Sequence, residues 1–244
     1  MIQVQYTEAK VPARSQFSQH IQEADRVRAA RYGDPDRLAG LEHAVASNCC
    51  RDSFQHSDCY RSEMADTTEL ASRIRLLLMD VDGVLTNGKL YHVPDAQGQM
   101  VETKGFDSQD GIALQWLAWK GIKTGVISGR VSPATVERAK QVKMTYVYQG
   151  HIEKIPILEQ ILADAKLDAR EVAYVGDDLT DAVILRRVGL PIATANARPE
   201  VKALARYVTK ASGGEGAVRE VIELLLSAQN LWREVLEHYE IGSD

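Results

Sequence analysis

The chain has 244 residues, 45% hydrophobic and 26% charged, with a formal net charge of −5. This is the make-up of an ordinary globular protein, and its acidic balance argues against non-specific binding to nucleic acid or to anionic membranes, both of which need basic surface. The start, MIQVQYTEAKVP, lacks the basic region and apolar stretch of a secretory signal, and no apolar run approaches a bilayer span, LLLM at 76–79 being far too short. A cytoplasmic location is expected.

Residues 1–63 are polar, rich in Arg, Gln, His and Ser, and show little sustained periodicity. QEADRVRAARYG reads as a short helix ending at Gly33-Asp34-Pro35, without the apolar face that demands a core. We read 1–63 as an N-terminal extension and 64–244 as the folded domain, with Met64 a candidate natural start. Cys49, Cys50 and Cys59, with His43 and His56 nearby, match no closed four-ligand zinc spacing and are too few for a disulfide framework. They read as free thiols.

From Arg73 the pattern becomes regular. RIRLLLMDVDG is a buried strand running into acidic residues and glycine, and LYHVPDAQGQMVETK is two short extended runs around a turn, a projecting hairpin. DGIALQWLAWK is a helix over 110–120 closed by Gly121. Trp116 and Trp119 on it have core-like spacing and are expected to pack. Strand KTGVIS leads to Gly129-Arg130 and a helix opened by Ser132-Pro133. Strand TYVYQG, helix IPILEQILADAK, strand VAYVGDD, helix TDAVILRRV, short strands at PIAT and YVT, and a terminal helix VREVIELLLSAQNLW follow. Strands alternating with helices predict an α/β fold: a Rossmann-like parallel sheet with helices on both faces and a small β-hairpin flap. Its reactive edge lies at the carboxyl ends of the strands.

Those ends carry the polar chemistry. The first finishes in Asp80-Val81-Asp82-Gly83, the second in Ser128-Gly129-Arg130, and a later one in Gly176-Asp177-Asp178 with Asp181 beyond; Lys154 precedes the helix after the third. Taken singly, each has a plain explanation as a helix cap or a solvated charge. Together they converge on one rim. Carboxylates so crowded repel unless a cation intervenes, and oxygen ligands without His or Cys suit Mg2+. A carboxylate can attack phosphorus as a nucleophile, and a second one two residues on can protonate the leaving alkoxide and then activate water. Ser128 and the Gly129 amide can bind phosphoryl oxygens, and Lys154 can neutralise charge in a loose transition state.

DVDGVLT, SGR, Lys154 and GDDLTD, in that order on this scaffold, resemble the four signature motifs of the haloacid dehalogenase superfamily, from about Arg73 onward. The resemblance implies Asp80 as nucleophile, Asp82 as general acid/base and, through its main-chain carbonyl, a metal contact. It further implies Asp177 as a magnesium ligand, with Asp178 or Asp181 assisting. Motif spacing leaves no room for a large cap domain. DSQDGIALQWLAWKGIK, YQG and GGEGAVREVIELLL are similar to the 3-deoxy-manno-octulosonate 8-phosphate phosphatases, capless homotetramers in which neighbouring subunits complete the site. This implies hydrolysis of a small-molecule sugar acid phosphate in lipopolysaccharide precursor synthesis, and a Gly213–Glu220 segment that helps place the tail at an adjacent active site. Ser128 stands where Thr is usual and Arg198 where relatives often carry His; residues 1–63 have no counterpart.

Arg130 and Lys104 are cations near the rim suited to a substrate carboxylate, or else paired with nearby acids. Two other readings stay open at this stage. A phosphatase for nine-carbon sugar acid 9-phosphates shares the motifs. A response-regulator receiver is also phosphorylated on Asp, but places its acidic pair early and its acceptor on a middle strand.

Overall fold

A computed structural model describes residues 67–242. The expected boundary near Met64, the short helix before Gly33 and the cysteine group lie outside the described residues. After a helical turn over 67–72, the chain enters β1 (Leu76–Met79), then the hairpin of β2 (Tyr91–Pro94) and β3 (Met100–Thr103). There follow α1 (Ser108–Trp119), β4 (Lys123–Ser128), α2 (Pro133–Gln141), β5 (Tyr146–Gln149), α3 (Ile155–Ala165) and β6 (Val172–Gly176). The chain closes with α4 (Ala182–Leu185), β7 (Leu190–Ala193), α5 (Pro199–Lys202), β8 (Tyr207–Val208), α6 (Ala217–Ala228) and α7 (Trp232–His238).

Six strands form one parallel sheet in the order β5-β4-β1-β6-β7-β8. β1 is wholly buried, and its period-two alternation feeds both faces. Leu77 and Met79 join the core under α1 and α6, whereas Leu76 and Leu78 join the core under α3. The chain leaves β1 for β4 on one side and later returns to β6 on the other. The crevice at the carboxyl end of β1 is therefore the topological switch point, the place where α/β sheets bind ligands. Among the described residues the only sheet outside this one is the β2–β3 hairpin, so the expected absence of a large cap holds. No described helix is long and apolar enough to cross a membrane.

Most elements fall where periodicity puts them, KTGVIS without a shift of one residue. Four differ. The terminal helix breaks in two, because Asn230 takes a left-handed conformation (φ 58°) and the Leu231 N–H turns back to the Leu226 carbonyl (2.8 Å). This bend lets Trp232 pack on Trp116, ring centroids 5.5 Å apart. TDAVILRRV is only a 3-10 turn, Leu179–Asp181, followed by the single turn of α4. The short helix α5 was not expected. Finally, Trp116 packs in the core as predicted, but Trp119 is 46% exposed, with its ring edge-on to His238. It lies three residues on, one step past the buried stripe of a helix whose partner α6 covers a single side.

Candidate active site

Asp80 follows the last residue of β1, and its N–H donates to the Val175 carbonyl of β6 (3.0 Å), which fixes the backbone at the crevice. Its Oδ1 accepts from the Val81 N–H (2.7 Å), and its Oδ2 lies 3.1 Å from Lys154 Nζ. Lys154, just before α3, is 1% exposed; its ammonium donates to Asp181 Oδ1 (2.7 Å) and to the Tyr174 hydroxyl (3.1 Å). Asp181 has no exposed surface. Its Oδ1 also accepts from Tyr174 (2.7 Å), and its Oδ2 accepts from the N–H groups of Asp177 (2.9 Å) and Asp178 (3.2 Å). The tight 3-10 turn is what brings the Asp181 carboxylate back onto those two amides.

One carboxylate oxygen each from Asp80, Asp177 and Asp181 lie within 4.8 Å of one another. Burial, then the Asp181, Asp80 and Asp178 carboxylates, push the Asp177 carboxyl up to about 7. Burial also pushes Asp80 up to about 6, with Lys154 opposing and Asp181 reinforcing it. Burial disfavours the Lys154 charge, but Asp181 and Asp80 outweigh it and raise the ammonium above its usual range. Asp177 Oδ1 is buried without a hydrogen-bond partner. A crowded, all-oxygen donor set with an orphaned carboxylate oxygen fits a hard divalent cation.

The loop after β1 is held against this cluster by the C-terminal segment. Gly83 (φ 91°) packs so closely on Asp177 that a methyl group there would overlap the carboxylate. Asn196 Nδ2 donates to the Gly83 carbonyl (2.9 Å) while its Oδ1 accepts from the Gly213 N–H (2.6 Å), and the Gly214 N–H donates to the Val84 carbonyl (3.0 Å). The Glu220 carboxylate pins the approach by accepting from the N–H groups of Lys210 (2.9 Å) and Ala211 (3.1 Å). Gly213 and Gly214 thus clamp the loop after β1 of their own chain. A methyl at Gly213 would overlap the Gly83 carbonyl. Gly213→Ala is therefore expected to lower kcat at least about tenfold by displacing that loop, with the fold preserved by circular dichroism.

The Asp82 carboxylate faces the other way, toward the flap. It accepts from Lys104 Nζ, and its Oδ2 lies 3.7 Å from Arg130 Nε. Both cations also hold Glu102 on β3: Arg130 by a hydrogen bond, Lys104 at 3.4 Å. Slight burial opposes the charge on Glu102, but these bonds outweigh it and keep the carboxyl below its ordinary range. Buried Ser128 ends β4, and its hydroxyl accepts from the Arg130 N–H (3.2 Å), with exposed Gly129 between them. A cleft of about 610 Å³ opens beside Lys104, lined also by Tyr91, Phe106, Ser108 and Gly214.

The structure thus gathers Asp80, Lys154, Asp177 and Asp181 into one cluster and Asp82, Lys104 and Arg130 into a second beside it. Asp178 joins neither: it is exposed, and its Oδ1 accepts from the Leu179 N–H (2.7 Å) as a cap. Sequence reasoning missed Tyr174, Glu102 and Asn196. A Tyr inside a buried strand must find a partner for its hydroxyl, which was a usable signal. Glu102, two residues before Lys104 on an extended chain, shares its side. Asn196 carries no such mark.

A family model for haloacid dehalogenase-like hydrolases matches residues 120–222. The chain is 39% identical over 172 residues to the 3-deoxy-D-manno-octulosonate 8-phosphate phosphatase KdsC of Yersinia pestis, covering 70% of this chain and 90% of that one. Its fold is similar to a Moraxella catarrhalis 3-deoxy-D-manno-octulosonate 8-phosphate phosphatase solved with magnesium, phosphate and KDO (TM-score 0.67, 36% identity, 71% and 98% covered). It is also similar to the cobalt-bound Haemophilus influenzae deoxy-D-mannose-octulosonate 8-phosphate phosphatase (TM-score 0.62, 32% identity, 67% and 93% covered).

Proposed function

We propose, because the chain belongs to the haloacid dehalogenase-like hydrolase family and is a phosphatase, that it converts 3-deoxy-D-manno-octulosonate 8-phosphate to the free sugar acid and phosphate. The observation that carries this is the Asp80–Lys154–Asp177–Asp181 cluster, buried but for half-buried Asp177, in a chain that matches 90% of the length of the Yersinia enzyme.

An Asp80 carboxylate oxygen attacks phosphorus, and the bond from phosphorus to the sugar oxygen breaks. Asp82 gives its proton to the departing alkoxide, then takes one from water, whose oxygen attacks the aspartyl phosphate to release inorganic phosphate and restore Asp80. Ser128 Oγ and the Gly129 N–H bind the transferring oxygens, and Lys154 balances their charge. Asp80 and Asp177 would hold Mg2+ with the Asp82 carbonyl, and the ion would offset repulsion between attacking carboxylate and phosphate. The filled oxygens of Asp181 favour it as a brace for Lys154 and the 177–178 amides rather than as a direct ligand. Arg130 and Lys104 seat the substrate carboxylate at the cleft.

Phosphate release should be highest with octulosonate 8-phosphate, vanish in EDTA and return with Mg2+. A clear preference for a nine-carbon 9-phosphate would overturn the substrate reading. Neighbouring copies would complete the uncapped site. Support comes from the flap, where Tyr91, Val93, Met100 and Val101 all stand exposed. Light scattering coupled to gel filtration should give four times the chain mass; a monomer would exclude the assembly.

A further inference from the structure

Phosphoryl transfer leaves one member of the second cluster without a task. Lys104, Arg130, Asp82 and Glu102 form a closed set of two cations and two carboxylates. The Lys104 side chain is 2% exposed and fixed between Asp82 and Glu102, whereas the Glu102–Arg130 pair faces outward, with side chains 22% and 48% exposed. Glu102 is not among the carboxylates gathered at Asp80, and the cations it pairs with are Lys104 and Arg130 rather than Lys154. It places a carboxylate between two cations at the mouth of the site, which is the same group, in the same electrostatic seat, that an acidic substrate would bring.

We propose that Glu102 sets the affinity of the site for acids: it is an internal carboxylate that occupies the Lys104–Arg130 seat until the carboxylate of a sugar acid substrate displaces it. This rests on the sugar acid reading above. An acid substrate exchanges one carboxylate for another between the same cations, so the seat stays satisfied. A phosphate ester without a carboxylate cannot make the exchange and leaves Glu102 in place. The competition weakens binding of the acid, since like charges brought together at the seat repel. Removing the Glu102 charge should therefore tighten acid binding while leaving phosphate esters that lack a carboxylate unaffected.

The test uses the full chain with Mg2+, titrating free 3-deoxy-manno-octulosonate calorimetrically into wild type, Glu102→Gln, Glu102→Ala and Glu102→Asp. The Gln and Ala variants should bind the acid about three- to tenfold more tightly and the Asp variant like wild type. KM for glucose 6-phosphate, which has no carboxylate, should be unchanged in all. Unchanged or weaker acid binding in the charge-free variants overturns the proposal. So does a parallel fall in KM for glucose 6-phosphate, which would mark a general field effect. Having both Gln and Ala keeps the test decisive if one misfolds, as circular dichroism would reveal. If wild type turns over glucose 6-phosphate as efficiently as octulosonate 8-phosphate, the substrate reading fails, while the titration still decides the seat.

Discussion

Asp80→Asn is expected to abolish turnover, with kcat down by about four orders of magnitude or more, because an amide oxygen is a far weaker nucleophile toward phosphorus. The fold should survive intact. The introduced amide keeps an oxygen to accept from the Val81 N–H, and Lys154 keeps its bond to Asp181. Stability in EDTA should even be equal or slightly higher at pH 8. The native carboxyl is pushed up to about 6 by burial, so ionising it at pH 8 costs stability that the uncharged amide does not incur. Phosphate-release kinetics and thermal melts check both halves. Activity near wild type would remove Asp80 from the nucleophile role.

Lys154→Met is expected to lose both activity and stability. The ammonium is the sole cation that the described residues place on Asp80 and Asp181, both buried. Breaking a buried pair by deleting one partner costs about 3–5 kcal/mol, because the other charge is left uncompensated. The sign with pH follows from Asp80. Its carboxyl already lies above the unfolded value, and losing Lys154 removes the main influence lowering it. The folded state then holds its proton more readily than the unfolded chain. The deficit is least below about pH 4, the range in which both states are protonated, and it grows as pH rises through the folded value. Chemical denaturation in EDTA should show a larger gap between wild type and Lys154→Met at pH 8 than at pH 5. The double variant Asp80→Asn/Lys154→Met should recover part of the loss. An equal gap at both pH values would mean that Lys154 contributes packing rather than charge.

The sequence by itself determined the elements and the residues that end them. Apolar runs such as LLLM and VAYVG, too short for helices, can only be buried strands of a covered sheet, and the Asp, Ser and Gly residues that follow fall at the carboxyl ends because strand and motif stop together. The positions of Asp80, Asp82, Ser128 and Asp177 at strand ends were legible in this way. Local chemistry also misled: the apolar pattern of the terminal helix runs through Asn230, whose left-handed backbone breaks the helix and lets Trp232 turn onto Trp116.

Only the tertiary structure decided how the polar groups are shared out. Asp178 and Asp181 look equivalent in GDDLTD, yet a 3-10 turn sends one to solvent and buries the other on Lys154. Lys104 and Arg130 are 26 residues apart in sequence, and the flap and the end of β4 bring them onto one Asp82. The tail glycines meet Gly83 from the far end of the chain. The physical reason is common to all three. Periodicity and capping act over a few residues, but which carboxylate faces which cation depends on strand order and on the close approach of distant backbones, and neither is written in a local pattern.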